Sequence, residues 1–258
     1  HPDNFEVIKL ITKSIKKNNL LEKNDNLDTI IHYAVKYYDT YKNNESIIRH
    51  LINLYKKSFE EEDRNKLTPV HYAIIRRLPN DIIIELLKHF YISYDNNGDS
   101  ILNYAIKYSN DLELIKNITK ISHYNDLIRN KNKYGQLPIH IAVLNNKDFS
   151  IIQYLMNIYN DGLYVENNNG ELPIHCAAKA IIDKDDYENS KKNLINIINT
   201  ILERDHKLSK RKTYNSITGS YPYQIAIKEK KPQEIINLLT KGTFRMNLYG
   251  KIVGRNNN

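Results

Sequence analysis

Tryptophan is missing from this chain of 258 residues, and cysteine occurs once, at Cys176. A single thiol cannot close an internal disulfide, so a cross-linked secreted scaffold is excluded and a reducing compartment, the cytoplasm, is expected. No apolar run approaches the roughly 18 to 20 residues that a membrane-spanning helix needs. With a mean hydropathy of −0.60, the chain reads as soluble. It opens His1-Pro2-Asp3 without methionine, as expected of a fragment or a processed form. No basic segment leading into an apolar stretch stands at the start, so no signal peptide is read there. The sequons Asn44-Glu45-Ser46 and Asn117-Ile118-Thr119 are what chance supplies in so asparagine-rich a sequence.

The signatures of common chemistry are missing too. Nothing matches the phosphate loop GxxxxGK[ST], and Gly250 and Gly254 are only a pair of glycines in the tail. There is no HExxH and no paired CxxC. The acidic runs Asp185-Asp186 and Glu60-Glu61-Glu62 sit among polar residues and read as solvated loops. No catalytic constellation remains, so the chain is expected to be no enzyme, with no cofactor and no metal site.

What the sequence does hold is charge and repetition. Lysine and arginine number 38 against 30 acidic residues, a net charge of +8 with a pI near 9.2. That balance favours an acidic partner in a general way. The abundance of Lys, Asn, Ile and Tyr is also what an AT-rich genome produces, which accounts for part of the basicity. Apolar residues make up 41% of the chain, enough for a substantial core.

One phrase recurs along the whole length. It stands as Thr29-Ile30-Ile31-His32-Tyr33-Ala34 and Thr68-Pro69-Val70-His71-Tyr72-Ala73, then weakly as Ser100-Ile101-Leu102-Asn103-Tyr104-Ala105. Strong copies follow at Leu137-Pro138-Ile139-His140-Ile141-Ala142 and Leu172-Pro173-Ile174-His175-Cys176-Ala177, and Tyr221-Pro222-Tyr223-Gln224-Ile225-Ala226 closes the series. The alanines are spaced by 39, 32, 37, 35 and 49 residues. Threonine or serine ahead of a helix can cap its free amides. Proline suits the first helical position, where its missing N–H costs nothing. Gly98, Gly135 and Gly170 precede their phrases where a tight turn can require positive φ, whereas Lys66 holds that place in the second copy. After each phrase comes a second run with apolar residues three and four apart, for example Ile82–Leu87, Ile151–Met156, Leu194–Ile198 and Ile235–Leu239.

The phrase resembles the Thr-Pro-Leu-His-x-Ala motif of ankyrin repeats, whose period is about 33 residues. The resemblance implies an all-α solenoid of stacked helix–turn–helix units joined by short hairpins. On that reading the chain is a single domain over residues 1–258. A partial repeat covers about 1–22, with its helix at Phe5–Ile11, and about six repeats follow. The 49-residue spacing places extra loop or helix near Asp183–Asn189 and Lys207–Ser220.

Several residues invite sharper readings. His32, His71, His140 and His175 recur at one repeat position, so they should stand about a repeat width apart, too far to share a metal bound at about 2 Å. The resemblance gives this histidine a structural, hydrogen-bonding role. Cys176 follows His175 directly, and neighbours on one helix point about 100° apart, which argues against a thiol–imidazole pair. Lys207–Lys212 is the densest basic cluster and could meet phosphates or anionic lipid. It lacks interleaved aromatics, so nucleic acid and membrane surfaces are not the expected partners.

In ankyrin proteins contacts come from hairpin tips and from positions just after the alanine. The resemblance therefore assigns partner binding to Tyr37, Arg76, Lys107 and Tyr108 on the inner helices, and to Asn65, Asn97, Tyr134 and Asn169 on the hairpins. Tyrosine and arginine are favoured in binding hot spots, and lysines would steer an acidic protein. The expected function is a monomeric, non-catalytic scaffold for a protein partner. The alternatives are a targeting or regulatory array within a larger enzyme or host-directed effector, and binding of anionic polymers or membranes through basic patches.

Overall fold

The structure is a computed structural model that describes residues 22–38, 45–54, 60–88, 92–213 and 219–241, together with the short strands at 245–246 and 252–253. It divides into two compact units, His1–Leu127 and Ile128–Asn258. The helix expected at Phe5–Ile11 lies outside the described residues.

In the first unit each phrase opens a short inner helix and the following apolar run forms an outer one. The pairs are α1 (Ile30–Lys36) with α2 (Glu45–Leu54), α3 (Pro69–Ile75) with α4 (Asn80–Leu87), and α5 (Ile101–Tyr108) with α6 (Leu112–Lys120). Inner helix packs on inner helix, α1 on α3 and α3 on α5, while α4 packs on α6. In the second unit the pairs are α7 (Pro138–Leu144) with α8 (Phe149–Ile158), α9 (Pro173–Lys179) with α10 (Tyr187–Arg204), and α11 (Pro222–Lys228) with α12 (Gln233–Thr240). Here α9 sits between α7 and α11, and α10 contacts α8 and α12. Extra residues of the long spacing form a loop before α10 and lengthen that helix to 18 residues against 10 in α8, about two added turns.

Proline starts α3, α7, α9 and α11 as its fixed φ allows. The marker alanines Ala73, Ala105, Ala142, Ala177 and Ala226 are fully buried, which lets neighbouring inner helices approach closely. In α4 the buried set is Ile82, Ile83, Leu86 and Leu87, one stripe of the helix. Each such side chain contributes about 1.5 to 3 kcal/mol by leaving water. Among the described residues no helix is long and apolar enough to cross a membrane.

The alanine also ends its helix. Its carbonyl accepts the N–H of Leu78, Lys147 or Lys231 at 2.9–3.0 Å, after Arg77, Asn146 and Lys230 turn the chain with positive φ. That is the Schellman closure, which satisfies a carbonyl the helix leaves free.

Hairpins precede the inner helices, and each of the first five is organised by an Asp or Asn five residues ahead of its phrase. Asn24, Asp63, Asp95, Asn132 and Asn167 each accept, through Oδ1, the N–H groups two and four residues on, at 2.8–3.0 Å. The residue three places on carries positive φ: Leu27, Lys66, Gly98, Gly135 and Gly170. Glycine adopts that conformation without penalty, and lysine does not. Lys66→Gly is therefore expected to raise the unfolding free energy by about 1 kcal/mol, the left-handed cost less the added freedom of the unfolded chain. A lower urea midpoint in that variant would refute the assigned turn.

Candidate functional site

The histidines occupy a defined place in this frame. His32 Nδ1 accepts the N–H of Thr29 at 3.2 Å, and its Nε2 meets the carbonyl of Leu67, in the next hairpin, at 3.1 Å. His140 repeats the pattern with Leu137 N–H at 3.2 Å and Glu171 O at 3.2 Å. His175 does so with Leu172 N–H at 3.1 Å and Arg211 O at 3.0 Å. An Nδ1 that accepts leaves the proton on Nε2, which donates to the next repeat; each ring is neutral and ties one repeat to its successor. Burial lowers the pKa of His32 and takes His71, His140 and His175 down to about 4. Gln224 mimics the ring, its Oε1 taking the N–H of Tyr221 at 2.9 Å. Asn103 turns instead to Asp99, 3.1 Å from its Nδ2. Cys176 is buried, which pushes its thiol up to about 12 and leaves it unreactive.

The inner-helix candidates gather in the first unit. Tyr37 caps the end of α1, Arg76 caps α3, and Tyr108 is the last residue of α5. Each stands three residues beyond its alanine, so the stacking of α1, α3 and α5 brings them to corresponding ends. Tyr37 is 62% exposed and Tyr108 41%, and Arg76 is exposed. Arg77 Nε donates to the carbonyl of Tyr108 at 3.3 Å, fixing the α3 and α5 ends to each other.

Lys107 has a different occupation. It forms an ion pair with the buried carboxylate of Asp99, eight residues before it. The same spacing recurs as Lys36 with Asp28 and Lys179 with Glu171. Lys36 also reaches Asp63 at 3.2 Å and covers the Tyr72 ring at 4.3 Å. Burial alone would raise Asp63, but hydrogen bonds from Tyr72, the Leu67 and Asn65 amides and Lys36 hold it below its ordinary value. These lysines hold hairpin to helix, so the positive charge they bring to the strip is already balanced.

Asn65 and Asn97 stand on the hairpins of this unit, the first exposed and the second partly covered, with Asn97 Nδ2 3.4 Å from Asp95. Tyr134 and Asn169 belong to the second unit, and both are exposed on hairpins. The carbonyl of Tyr134 accepts the N–H of Asn168 at 3.0 Å, as that of Asn26 accepts Arg64 N–H at 3.2 Å in the first unit. Adjacent hairpins are thereby joined through their main chains.

The basic segment Lys207–Lys212 is largely a structural joint. It forms a 3-10 turn, His206–Lys210, that buries Leu208 and Ser209. The carbonyl of Arg211 receives His175, and its guanidinium lies 3.6 Å from Glu166. Lys212 lies over the Tyr221 ring at 5.0 Å. Sequence reasoning missed Tyr33, 56% exposed beside Tyr37, because its position in the phrase is buried in most other repeats.

Residues 31–125 match the family model described as ankyrin repeats in three copies. The phrases at 137–142, 172–177 and 221–226 lie beyond that match. No curated protein matches the chain. Among solved structures it is similar to the ankyrin repeat domain of Bcl-3, a member of the IkappaB protein family. The two are 18% identical over 91% of each chain, with a TM-score of 0.56. It is also similar to a chain from the complex of the predatory endopeptidase Bd0816 of Bdellovibrio bacteriovorus with the immunity protein Bd3460. That likeness is 19% identical over 76% of this chain and 97% of that one, with a TM-score of 0.54. At such identities the likeness is one of fold.

Proposed function

The chain is an ankyrin-repeat protein, and from that premise we propose that it is a non-catalytic scaffold that holds a protein partner against its inner-helix ends and hairpins. The observation that carries this is the set of large exposed side chains at equivalent ends of three stacked helices: Tyr37, Arg76 and Tyr108. Rings and guanidinium supply wide contact area with polar handles, the composition of binding hot spots. The endopeptidase–immunity protein complex, as a structural neighbour, supports a partner-binding use of the fold.

Net charge supports an acidic partner, but the balanced lysines move that attraction outward. Exposed Arg64, Lys66 and Arg76 are cations of the first unit that could draw in the carboxylates of such a partner. We read the protein as a cytoplasmic monomer, in keeping with its single reduced thiol, Cys176.

Truncating Arg76 or Tyr108 to alanine is expected to weaken partner binding by roughly 1 to 4 kcal/mol. Stability should stay within about ±0.5 kcal/mol, because both are exposed. The controls are Lys88 and Lys116, on the outer helices and paired with Glu85 and Glu113. Calorimetric titration in which the control lysines mattered and Arg76 and Tyr108 did not would refute the assigned face.

A further inference from the structure

Side chains of this chain are matched in sets, and two sets are broken. The first joins the hairpin Asp or Asn to the residue nine places on. Where the hairpin residue is aspartate, its second oxygen receives a tyrosine: Tyr72 donates to Asp63 Oδ2 at 2.6 Å, and Tyr104 to Asp95 Oδ2 at 3.0 Å. Where it is Asn132 or Asn167, the ninth place holds Ile141 or Cys176 and offers no hydroxyl. Asn24 breaks this set. Its one oxygen is taken by the amides of Asn26 at 2.9 Å and Asp28 at 3.0 Å, and Tyr33 is exposed.

The second set joins the residue just ahead of the phrase to the one eight places on. Asp28, Asp99 and Glu171 are buried there, and Lys36, Lys107 and Lys179 meet them. Where the first member is Leu67 or Gln136, the second is Ile75 or Leu144, and neither carries charge. Only the last phrase keeps the lysine without the acid. Lys228 is exposed, and Ser220 stands where the other lysines find a carboxylate.

A second cation stands beside this gap. Thr213 N–H donates to the Ser220 carbonyl at 3.1 Å, and Ser220 N–H donates to Thr213 Oγ1 at 3.0 Å. These limbs run so close that a Cβ on Gly219 would stand 3.3 Å from that of Lys212. Among the described residues, neither Lys212 nor Lys228 has an acidic side chain within ion-pair reach. The charge of the chain gathers here as well. Residues 1–203 hold 26 basic against 27 acidic side chains, while residues 204–258 hold 12 against three. A field of that sign draws anions toward the segment.

Resting on the reading of the chain as a scaffold for a protein partner, we propose that Lys228 and Lys212 flank a carboxylate-binding subsite at Ser220, filled by an aspartate or glutamate of that partner. The incoming side chain completes between molecules the pair that Asp28, Asp99 and Glu171 complete within their own repeats. Those three pairs favour a carboxylate over a phosphate, because the same lysine position meets Asp or Glu each time.

The test begins with the full chain alone. Ser220→Asp supplies the missing acid, so it should raise the urea midpoint, and the rise should vanish when Lys228→Gln is added. No coupling between the two positions would overturn the subsite. Peptides are then selected on the full chain from a displayed library of random dodecamers, and their affinities measured at low and high salt. They should share an acidic residue, weaken with salt, and lose about tenfold in affinity to Lys228→Gln, Lys212→Gln or Ser220→Asp. Lys207→Gln and Lys241→Gln, at exposed lysines of the same segment, should each cost about twofold or less. Equal losses at all four lysines would mean a diffuse field and no site. A DNA duplex or phosphatidylserine vesicles that bind through Lys228 and Lys212, where acidic peptides do not, would make phosphate the occupant and overturn the proposal. Failure to enrich acidic peptides does the same. Peptides sensitive to Arg76→Ala and Tyr108→Ala but not to Lys228→Gln overturn the subsite and leave the first-unit face standing. Those that respond only to Lys228→Gln, Lys212→Gln and Ser220→Asp uphold the subsite and count against that face. Peptides indifferent to every variant sink both.

Discussion

Urea midpoints of the full chain should fall as the pH is lowered from 6.5 to 4, before Asp63 is protonated. His71, His140 and His175 have folded pKa values near 4 against 6.5 for a solvated imidazole, because burial disfavours the cation. The unfolded chain therefore takes up protons first. The stability these rings confer is complete above about pH 6.5 and drains away as the pH falls toward 4. A shift of that size corresponds to about 3 kcal/mol for each ring. His140 and His175 carry the same consequence in geometry: a protonated Nδ1 can no longer accept the amide of Leu137 or Leu172. Asp63 and Glu171 are held below their ordinary values of 3.8 and 4.5, so their contribution is present through most of this window and is lost as the pH falls below it. The clean variant is His175→Gln, which copies Gln224 and keeps an acceptor without a titrating site. It should flatten the pH dependence by about 3 kcal/mol over the window. Midpoints that stay level from pH 6.5 to 4 would refute the neutral, buried imidazoles.

The second large effect concerns Gly135. It turns its hairpin with φ +72°, and a Cβ placed there would stand 2.6 Å from the main-chain nitrogen of Asn168. That nitrogen donates to the carbonyl of Tyr134, the bond that holds the fourth hairpin to the fifth. Gly135→Ala therefore meets two costs: about 1 kcal/mol or more for a left-handed alanine, and about 1 kcal/mol for the displaced bond. With the local shift needed to relieve the overlap, a total of about 2 to 4 kcal/mol is expected. A denaturant melt unchanged by this variant would mean that the hairpins do not touch as described.

The sequence states the scaffold more openly than the surface. The alanines, the prolines and the three turn glycines each do one local job, and each stands where its phrase places it. The hairpin Asp and Asn residues were equally periodic, five ahead of every copy from Asn24 to Asn167. They were hard to single out because asparagine crowds the whole chain and two residue types share the position. The fate of Lys107 was less accessible still. Its carboxylate lies eight residues back, across a helix start and a hairpin end, where no helical spacing brings side chains together. Tyr33 needed a comparison between repeats: only the oxygens of Asp63 and Asp95 reveal what Asn24 lacks.

Linked choices of this kind govern how far repeats could be traded. The hairpin residue dictates what may stand nine places on, and an acidic residue just ahead of the phrase goes with a lysine eight places after it. Transplanting the second repeat's hairpin with Asp63 into the fourth repeat would leave a carboxylate facing Ile141, with an oxygen that nothing answers. Moving Asp63 and Tyr72 as a set would keep that oxygen satisfied. The chain is modular in groups of residues that must travel together, and its repeats are dialects of one grammar with agreement enforced inside each sentence.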